Sequence, residues 1–213
     1  TLPGGRRVFA RKAAYHFGWD WGPKFVTAGI WQPLYLKAWS SHILTDFQLK
    51  NKSISNNRAQ IEAVFDVESS KTENAVLLIT DDESTNKAYK SEVILEKGMK
   101  SYNVHFTIEN PKLWWSNGMG DPNLYRFTVE LITESGLKYS KQISHGIRTL
   151  EMVSEPDSIG QSMYLKLNGI PVFLKGANYI PQHSFITEVT EQKYRKIIAL
   201  AKESNMNMLR VWG

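Results

Sequence analysis

Cysteine is absent from the 213 residues of this chain. That absence excludes disulfide bonds, catalysis by a thiolate and zinc sites with cysteine ligands. Long apolar runs are absent too: none approaches the ~18–20 residues that a helix needs to cross a bilayer, so we expect no membrane partner. No signal peptide opens the chain, whose residues 1–5 resemble a loop entered midway. The compartment is therefore not identified, although export of a longer protein would favour a periplasmic, extracellular or lysosomal location over the cytoplasm.

Positive charge is present but is not concentrated. The net charge is +5, with Lys and Arg spread along the chain, whereas a nucleic-acid-binding surface gathers them on one stripe with interleaved aromatic side chains. The densest basic cluster, Arg6-Arg7 and Arg11-Lys12, is short and is typical of a solvated face. The five histidines show no metal-binding spacing such as His-Glu-x-x-His. We predict no nucleic-acid partner, no metal and no cofactor.

Aromatic residues, by contrast, are abundant. The chain has 7 Trp, 9 Tyr and 9 Phe, and four of the tryptophans fall within the first forty residues: Trp19, Trp21, Trp31 and Trp39. Trp is costly to place without a large core or a ligand that packs on aromatic rings. Sugars are one such ligand class, because their C–H faces pack on these rings.

Residues 1–41 are predicted to be β-structure with irregular connections. One strand is expected at residues 34–39, where Leu34, Leu36 and Ala38 alternate with residues of a different face. The segment is too short to close a core of its own. We interpret it as the end of a larger β-domain.

Residues 43–147 contain short segments in which apolar and polar residues alternate. Three clear examples are Ile61–Val67, Tyr102–Ile108 and Tyr125–Leu131. Ala75–Thr80 is apolar on both sides, which is typical of a central strand. Asn51-Lys52-Ser53 has the form of an N-glycosylation acceptor and is interpreted as a surface turn. About seven short strands in ~100 residues predict a mainly β fold with an immunoglobulin-like β-sandwich.

The pattern changes after Gly146. Asn168-Gly169 predicts a tight hairpin turn between two short strands. A helix follows, with Thr190 as its cap and Asn205 as its stop. Met206–Trp212 is then predicted to be a second buried strand. These elements make one βαβ unit, which cannot bury both faces of its sheet alone, so we expect further units in a longer polypeptide.

Asp20 is a candidate binding residue because it lies between Trp19 and Trp21. A carboxylate there can accept paired hydrogen bonds from sugar hydroxyls while the rings pack against the apolar face of the sugar. The same residues are also typical of a turn in which Asp20 caps the backbone and the rings pack internally. The residues by themselves favour the turn.

Arg210 and Trp212 end the second predicted strand, where α/β folds carry their sites. Their side chains are two residues apart and therefore point the same way. Arg210 could hold a carboxylate and Trp212 could form the floor of a sugar pocket; ordinary core packing with a structural ion pair is the alternative. Asn178, near the end of the first strand, could support the pocket by hydrogen bonding or could cap a loop.

Several strings of residues also match motifs of a known family. They are Tyr-His-Phe-Gly-Trp-Asp-Trp-Gly-Pro at 15–23, Gly-Ile-Trp-Gln-Pro-Leu-Tyr-Leu at 29–36, Pro-Lys-Leu-Trp-Trp at 111–115, Gly-Ile-Arg at 146–148, Leu-Asn-Gly-Ile-Pro-Val-Phe-Leu-Lys-Gly-Ala-Asn-Tyr-Ile-Pro at 167–181 and Asn-Met-Asn-Met-Leu-Arg-Val-Trp-Gly at 205–213. In this order and spacing they resemble family 2 glycoside hydrolases, and the first and last favour the β-mannosidases. One departure is His183, where the β-mannosidase pattern usually has Asp.

The resemblance implies three regions. Residues 1–41 would be the C-terminal strands of a jelly-roll sugar-binding domain, residues 42–148 an immunoglobulin-like β-sandwich, and residues 149–213 the start of a (β/α)8 catalytic barrel. The full-length enzyme would be a retaining exo-β-mannosidase that removes terminal β-linked mannose with two carboxylates. Neither carboxylate falls in this chain, so the chain alone is expected to be inactive.

What the chain would contribute is part of the wall of the −1 sugar subsite, from Asp20, Trp19, Arg210, Trp212 and Asn178. The partners implied are a β-mannoside substrate and the remaining domains of the same polypeptide. Two alternatives stay open. One is a family 2 hydrolase of another β-glycoside, such as a galactoside or glucosaminide. The other is a non-catalytic β-sandwich that binds glycan, although the βαβ segment at 172–212 argues against it.

Overall fold

The computed structural model describes residues 6–55, 57–83 and 87–212. Within these residues the chain forms twelve strands and one α-helix, so the predicted mainly β fold is confirmed. No helix in this part of the chain is long and apolar enough to span a bilayer. The chain divides into two compact units. We call Lys37–Phe173 the sandwich unit, and Thr1–Leu36 together with Leu174–Gly213 the terminal unit.

The sandwich unit is built on seven antiparallel strands in two sheets. One sheet has the order β1-β2-β5 and the other the order β4-β3-β6-β7. The strands are β1 (His42–Ile54), β2 (Arg58–Ser69), β3 (Glu73–Asp81), β4 (Ala88–Leu95), β5 (Gly98–Glu109), β6 (Tyr125–Thr133) and β7 (Lys138–His145). The predicted sandwich of about seven strands is therefore confirmed, and β3 has the central position expected for Ala75–Thr80.

The core of the sandwich follows from the alternation of apolar residues. Successive side chains of a strand point to opposite faces, so every second residue of β2 and β6 faces inward. Phe65 and Phe127 are accordingly buried, and the rings of Phe106 and Phe127 meet edge to face at 5.8 Å between centroids, joining the two sheets. Burying one large apolar side chain contributes about 1.5–3 kcal/mol, which makes this shared core the main stabilising feature of the unit.

A buried polar pair also joins the two sheets. Nε2 of His42, at the start of β1, lies 3.2 Å from Oε2 of Glu73, at the start of β3, and His42 has no exposed surface. The backbone N–H of Ser135 donates to Glu73 at 2.5 Å, and hydrogen bonding from Ser135 holds the pKa of the Glu73 carboxyl below its usual range. The hydroxyl of Tyr139 in β7 donates to the carbonyl of His42. The start of β1 is thus in polar contact with β3 and hydrogen-bonded to β7.

Asn51 lies within β1, so the prediction of a surface turn at Asn51-Lys52-Ser53 is wrong. Its amide nitrogen donates to the carbonyl oxygens of Gly146 at 3.2 Å and of Arg148 at 3.0 Å. Its amide oxygen accepts a 2.8 Å hydrogen bond from Nε2 of His145. These bonds tie the edge strand β1 to the residues that end and follow β7. Polar side chains at an edge strand can find partners that local sequence does not reveal.

A small third sheet completes the sandwich unit, with the strand order β10-β9-β8. Its strands are β8 (Leu150–Val153), β9 (Tyr164–Leu167) and β10 (Ile170–Val172). Asn168 and Gly169 join β9 to β10 with φ of 50° and 77°, which confirms the predicted tight hairpin. The side chain of Asn168 accepts from the N–H of Thr149 and donates to the carbonyl of Trp114, both at 3.0 Å.

The terminal unit contains one βαβ arrangement. Strand β11 (Gly176–Tyr179) pairs in parallel with β12 (Met208–Val211), and helix α1 (Glu191–Glu203) connects them. The predicted cap is confirmed, because the Thr190 side chain accepts from the N–H of Lys193 at 3.4 Å. Asn205 takes a φ of 57° just past the helix, as expected for its stop.

The two strands approach each other closely at Gly176. A Cβ atom on this residue would lie 2.2 Å from the carbonyl oxygen of its partner Met208. Real Cβ atoms do not make contacts this short, so only glycine fits here without moving one strand.

The strand predicted at residues 34–39 does not form. Leu34, Tyr35 and Leu36 are exposed, and no described strand pairs with this segment. Alternation gives a segment two faces, but a strand also needs a hydrogen-bonding neighbour. The first part of the terminal unit instead contains short 3-10 turns, at Arg6–Phe9 and Ala14–Phe17.

Candidate functional site

The segment that carries Trp19, Asp20 and Trp21 is a tight loop of the terminal unit. It follows the 3-10 turn Ala14–Phe17 and reverses direction between Trp19 and Gly22. The N–H of Trp19 donates to the Gly22 carbonyl at 3.0 Å, and the N–H of Gly22 donates back to the Trp19 carbonyl at 3.3 Å. These reciprocal bonds hold the backbone while the tip side chain, Asp20, is left exposed.

Four aromatic rings meet beside this loop. The rings of Trp19 and Trp212 pack edge to face at 5.1 Å between centroids, and Trp21 meets Trp212 in the same way at 6.3 Å. Tyr15 lies 5.2 Å from Trp21 and is buried, and burial raises the pKa of its hydroxyl. Tyr15 therefore stays protonated near neutral pH and acts as part of the wall.

Trp19 and Trp21 contribute differently to this cluster. Trp19 is 42% exposed, so part of its ring is open to a ligand. The indole nitrogen of Trp21 is buried and has no hydrogen-bond partner among the described residues. Trp21 therefore supports the neighbouring rings, whereas Trp19 has a face that a ligand can contact.

Arg210 and Asn178 are the polar residues next to this aromatic cluster. They lie opposite each other in the parallel pair of β11 and β12, and Nη1 of Arg210 donates a 3.0 Å hydrogen bond to Oδ1 of Asn178. Arg210 is nevertheless exposed. A guanidinium has five N–H donors, so one bond to Asn178 orients the group and leaves donors for a further acceptor. The backbone N–H of Trp212 donates to the carbonyl of Tyr179 at 3.1 Å, which fixes the end of β12.

A pocket of about 420 Å³ lies between the loop and the end of β12. Its lining residues are Ala14, Tyr15, Trp19, Arg210, Val211 and Trp212. Aromatic faces beside an oriented cation suit a neutral polar ring that offers both C–H faces and oxygen acceptors. The lining contains no carboxylate, so the arrangement provides binding groups but no acid–base pair.

Of the five predicted site residues, three line the pocket and two do not. Trp19, Arg210 and Trp212 line the same pocket. Asn178 does not line it but is hydrogen-bonded to Arg210. Asp20 is on the same loop, but its side chain is not among the lining residues. Their role in binding stays a prediction. Among the described residues, no group of three His, Asp or Glu side chains is arranged to hold a metal ion.

Sequence reasoning missed the contacts that hold the loop from behind. Nε2 of His16 donates to the carbonyl of Ser184 at 3.0 Å, and the rings of Phe25 and Phe185 stack at 5.3 Å. These partners are far apart in the sequence, and neither pair has a local pattern that would reveal it. Tyr15 could have been predicted as a site residue, because it is the first residue of the aromatic string at 15–23.

Two family models match parts of this chain. The model of a family described as "Glycosyl hydrolases family 2" matches residues 41–148. A second model, "Glycosyl hydrolase 2 galactose-binding domain-like", matches residues 3–32. The first match alone covers about half of the chain.

Similar proteins include two fungal relatives. The chain is 35% identical over 207 residues to β-mannosidase B of Emericella nidulans and 36% identical over 211 residues to β-mannosidase B of Aspergillus clavatus. Each alignment covers 97% of this chain and 24% of the relative. The chain thus spans about a quarter of the length of the curated relatives that it matches.

Solved structures extend the similarity to the fold. The crystal structure of a β-D-mannosidase from Dictyoglomus thermophilum matches with a TM-score of 0.91 at 39% identity, over 97% of this chain and 26% of that one. An exo-chitosanase from Amycolatopsis orientalis matches with a TM-score of 0.68 at 18% identity, over 81% of this chain and 20% of that one, and shows the fold alone. On the match to the family model across residues 41–148, this chain belongs to glycosyl hydrolase family 2.

Proposed function

We propose that this chain is part of a retaining exo-β-mannosidase and contributes one wall of its −1 sugar subsite. The observation that carries the proposal is the pocket of the terminal unit, where Trp19, from one end of the chain, meets Arg210 and Trp212, from the other. A pocket built from aromatic rings and one oriented cation is suited to carbohydrate. The names of the similar β-mannosidases support mannose as the sugar.

In this proposal each residue has a separate task. Trp19 and Trp212 pack against the apolar face of the sugar, and Arg210 donates hydrogen bonds to an oxygen of the substrate or to a carboxylate of the complete site. Asn178 orients Arg210 through their 3.0 Å bond. Asp20, which is exposed at the tip of its loop, accepts hydrogen bonds from sugar hydroxyls. The two catalytic carboxylates of a retaining glycosidase, ~5–5.5 Å apart, would come from other parts of the polypeptide.

The domain assignment is part of the same proposal. Residues 1–41 would be the end of a jelly-roll domain, residues 42–148 the spacer sandwich, and residues 149–213 the start of a (β/α)8 barrel. The parallel pairing of β11 and β12 around α1 supports the last assignment, because a barrel of this type repeats that unit. The remaining domains of the polypeptide would then be the main partners of this chain.

A glycan-binding sandwich without catalysis is less well supported. Binding faces for sugars need accessible aromatic rings. Within the described residues of 42–148, no Trp, Tyr or Phe is exposed, whereas Trp19 and Trp31 in the terminal unit are. The exposed aromatic rings therefore lie outside residues 42–148. A family 2 hydrolase of another β-glycoside is the closer alternative.

Hydrolysis of aryl glycosides tests the proposal. A polypeptide of the relatives' length that contains this sequence is expected to hydrolyse an aryl β-mannoside in preference to the matched β-galactoside and β-glucosaminide. The 213-residue chain alone is expected to hydrolyse none of them, because its pocket has no carboxylate pair. Preference for the galactoside or glucosaminide would replace mannose as the substrate, and turnover that copurifies with the 213-residue chain would refute the assignment of catalysis to other regions.

A further inference from the structure

Both ends of the loop that carries the candidate binding residues contact the same short segment. We call residues 16–25 the aromatic loop. At its start, Nε2 of His16 lies 3.0 Å from the carbonyl oxygen of Ser184. At its end, the ring of Phe25 stacks on the ring of Phe185, with 5.3 Å between centroids and 24° between planes. The dipeptide that follows His183 therefore holds both ends of the loop.

His16 also closes the loop on itself. Its backbone carbonyl accepts a 3.0 Å hydrogen bond from the N–H of Phe25, the residue that stacks on Phe185. Its ring meets the ring of Tyr15 edge to face at 4.5 Å, and Tyr15 lines the pocket. His16 itself is not among the residues lining that pocket, so it can affect a ligand there only through the loop.

The hydrogen bond fixes the tautomer of His16. A carbonyl oxygen can only accept, so the proton must be on Nε2, and the buried Nδ1 is then without a partner. Burial, together with the nearby charge of Lys12, lowers the pKa of His16. The neutral ring with Nε2–H is therefore the form that holds the loop.

The segment that accepts the hydrogen bond from His16 also contains a hydrogen bond of its own. Nδ1 of His183 lies 3.0 Å from the backbone nitrogen of Phe185 and 3.1 Å from its carbonyl oxygen. In the tautomer with the proton on Nε2, Nδ1 accepts a hydrogen bond from the Phe185 N–H. This bond, from a residue to the side chain two positions before it, is the arrangement that Asp or Asn makes in an Asx-turn. The imidazole nitrogen of His183 thus takes the place of the carboxylate oxygen in an Asx-turn. This turn holds Ser184 and Phe185 in the orientation in which they contact the loop.

We propose that His16 is a positioning residue: through its bond to Ser184, with the turn at His183–Phe185 as the anchor, it sets where the aromatic loop presents Trp19 and Asp20 to the sugar. This inference rests on the proposed function for its consequence in catalysis. The geometry of the anchor is independent of that function. Two readouts therefore test the proposal separately.

Kinetics of paired variants is the first readout. His16→Gln keeps an N–H donor near the position of Nε2, whereas His16→Phe keeps a ring and removes the donor. In the polypeptide of the relatives' length, His16→Phe is expected to lower kcat/KM for an aryl β-mannoside about 10- to 100-fold, since a misplacement of ~1 Å has that order of effect. Most of the loss should appear as a raised KM, and His16→Gln should restore most of it.

If His16 only supports folding, the loss of kcat/KM should be divided differently between kcat and KM. Partial misfolding reduces the number of active molecules, which lowers kcat and leaves KM unchanged. An unchanged KM in His16→Phe would therefore overturn the proposal. So would an equal loss in His16→Gln and His16→Phe, because the hydrogen bond would then not be the cause.

Hydrogen exchange is the second readout and needs no activity. In the same polypeptide, His16→Phe is expected to speed exchange of the amides of Trp19, Gly22 and Phe25, while His16→Gln leaves them near wild type and strands β2 and β6 are unchanged in both. His183→Ala should reproduce the loss, and His183→Asp should not, because a carboxylate also accepts the Phe185 N–H. Wild-type exchange in both His16→Phe and His183→Ala would overturn the positioning role. If the wild type fails to hydrolyse the β-mannoside, the proposed function fails while this readout still decides the anchor.

Discussion

Arg210 and Asn178 are direct neighbours across the parallel pair of β11 and β12, and Nη1 of Arg210 donates to Oδ1 of Asn178 at 3.0 Å. The guanidinium is thereby oriented at the edge of the pocket before any ligand arrives. Preorganised donors bind a polar ligand with less loss of side-chain entropy than mobile ones.

Removing this partner should release Arg210. We expect Asn178→Ala to lower kcat/KM for an aryl β-mannoside about 5- to 10-fold, because one hydrogen bond of about 1 kcal/mol is lost. Asn178→Asp is the matched control, since its carboxylate accepts the same bond. Steady-state kinetics of both variants gives the result, and equal rates in wild type and Asn178→Ala would mean that Arg210 is oriented by something else.

Asp20→Ala should remove the hydrogen bonds that the exposed carboxylate offers to sugar hydroxyls. A hydrogen bond to a charged group contributes about 1.5–3 kcal/mol, so kcat/KM should fall about 10- to 150-fold. The fold should survive, because the side chain is exposed. Glu92→Ala, an exposed carboxylate in β4, is the control and should keep wild-type kinetics. Loss of folding in Asp20→Ala, seen by circular dichroism, would favour the turn-capping role instead.

Trp212→Ala should cost at least as much activity as Asp20→Ala. It removes a ring that meets both Trp19 and Trp21, and each aromatic pair contributes about 0.5–1.5 kcal/mol beyond the area it buries. Trp39→Ala is the control, because Trp39 is a 45% exposed tryptophan in the sandwich unit. The two variants are compared by kcat/KM; similar effects would show that Trp212 has no special place in the pocket.

Gly176→Ala should loosen the parallel pair. The added Cβ would lie 2.2 Å from the Met208 carbonyl, and overpacking of this kind typically costs about 1–3 kcal/mol. Gly160→Ala is the matched control, since nothing lies within 4 Å of its added Cβ. Faster hydrogen exchange in β11 and β12 of the first variant only is the expected pattern. Wild-type exchange in both would mean that the strands can move apart at no cost.

Acid should weaken the sandwich through Glu73. Its folded pKa is lowered, so the stability it contributes is present above the ordinary glutamate value of about 4.3 and is lost as pH falls through the lowered folded value. Urea unfolding between neutral pH and pH 3 should therefore show a steeper loss in wild type than in Glu73→Gln. Glu92→Gln, whose side chain is 82% exposed, should follow wild type. Parallel curves for wild type and Glu73→Gln would contradict the assignment.

Much of the fold could be predicted because it depends on local periodicity. Alternation at Ile61–Val67 and Tyr125–Leu131 identifies the inward face of β2 and β6, and Thr190 caps α1 through a bond three residues away. The same rule was wrong at residues 34–39, because alternation does not report whether a neighbouring strand is present to pair with.

The site was predictable only in its residue types. Trp19, Arg210 and Trp212 could be singled out, and the structure gathers them around one pocket. The bond from His16 to Ser184 spans 168 residues and has no local signature. Asp20 was chosen for its neighbours in sequence, but the turn at Trp19–Gly22 decides that its side chain is not among those lining the pocket.

The bonding of Asn51 affects how readily this residue could be modified. Both hydrogens of its amide are donated, one to Gly146 and one to Arg148. A glycan on that nitrogen would replace one of them, and it would have to pass the closed edge between β1 and the residues after β7. Attachment of a glycan at the Asn51-Lys52-Ser53 acceptor of the folded chain would therefore cost one of these two hydrogen bonds, about 1 kcal/mol.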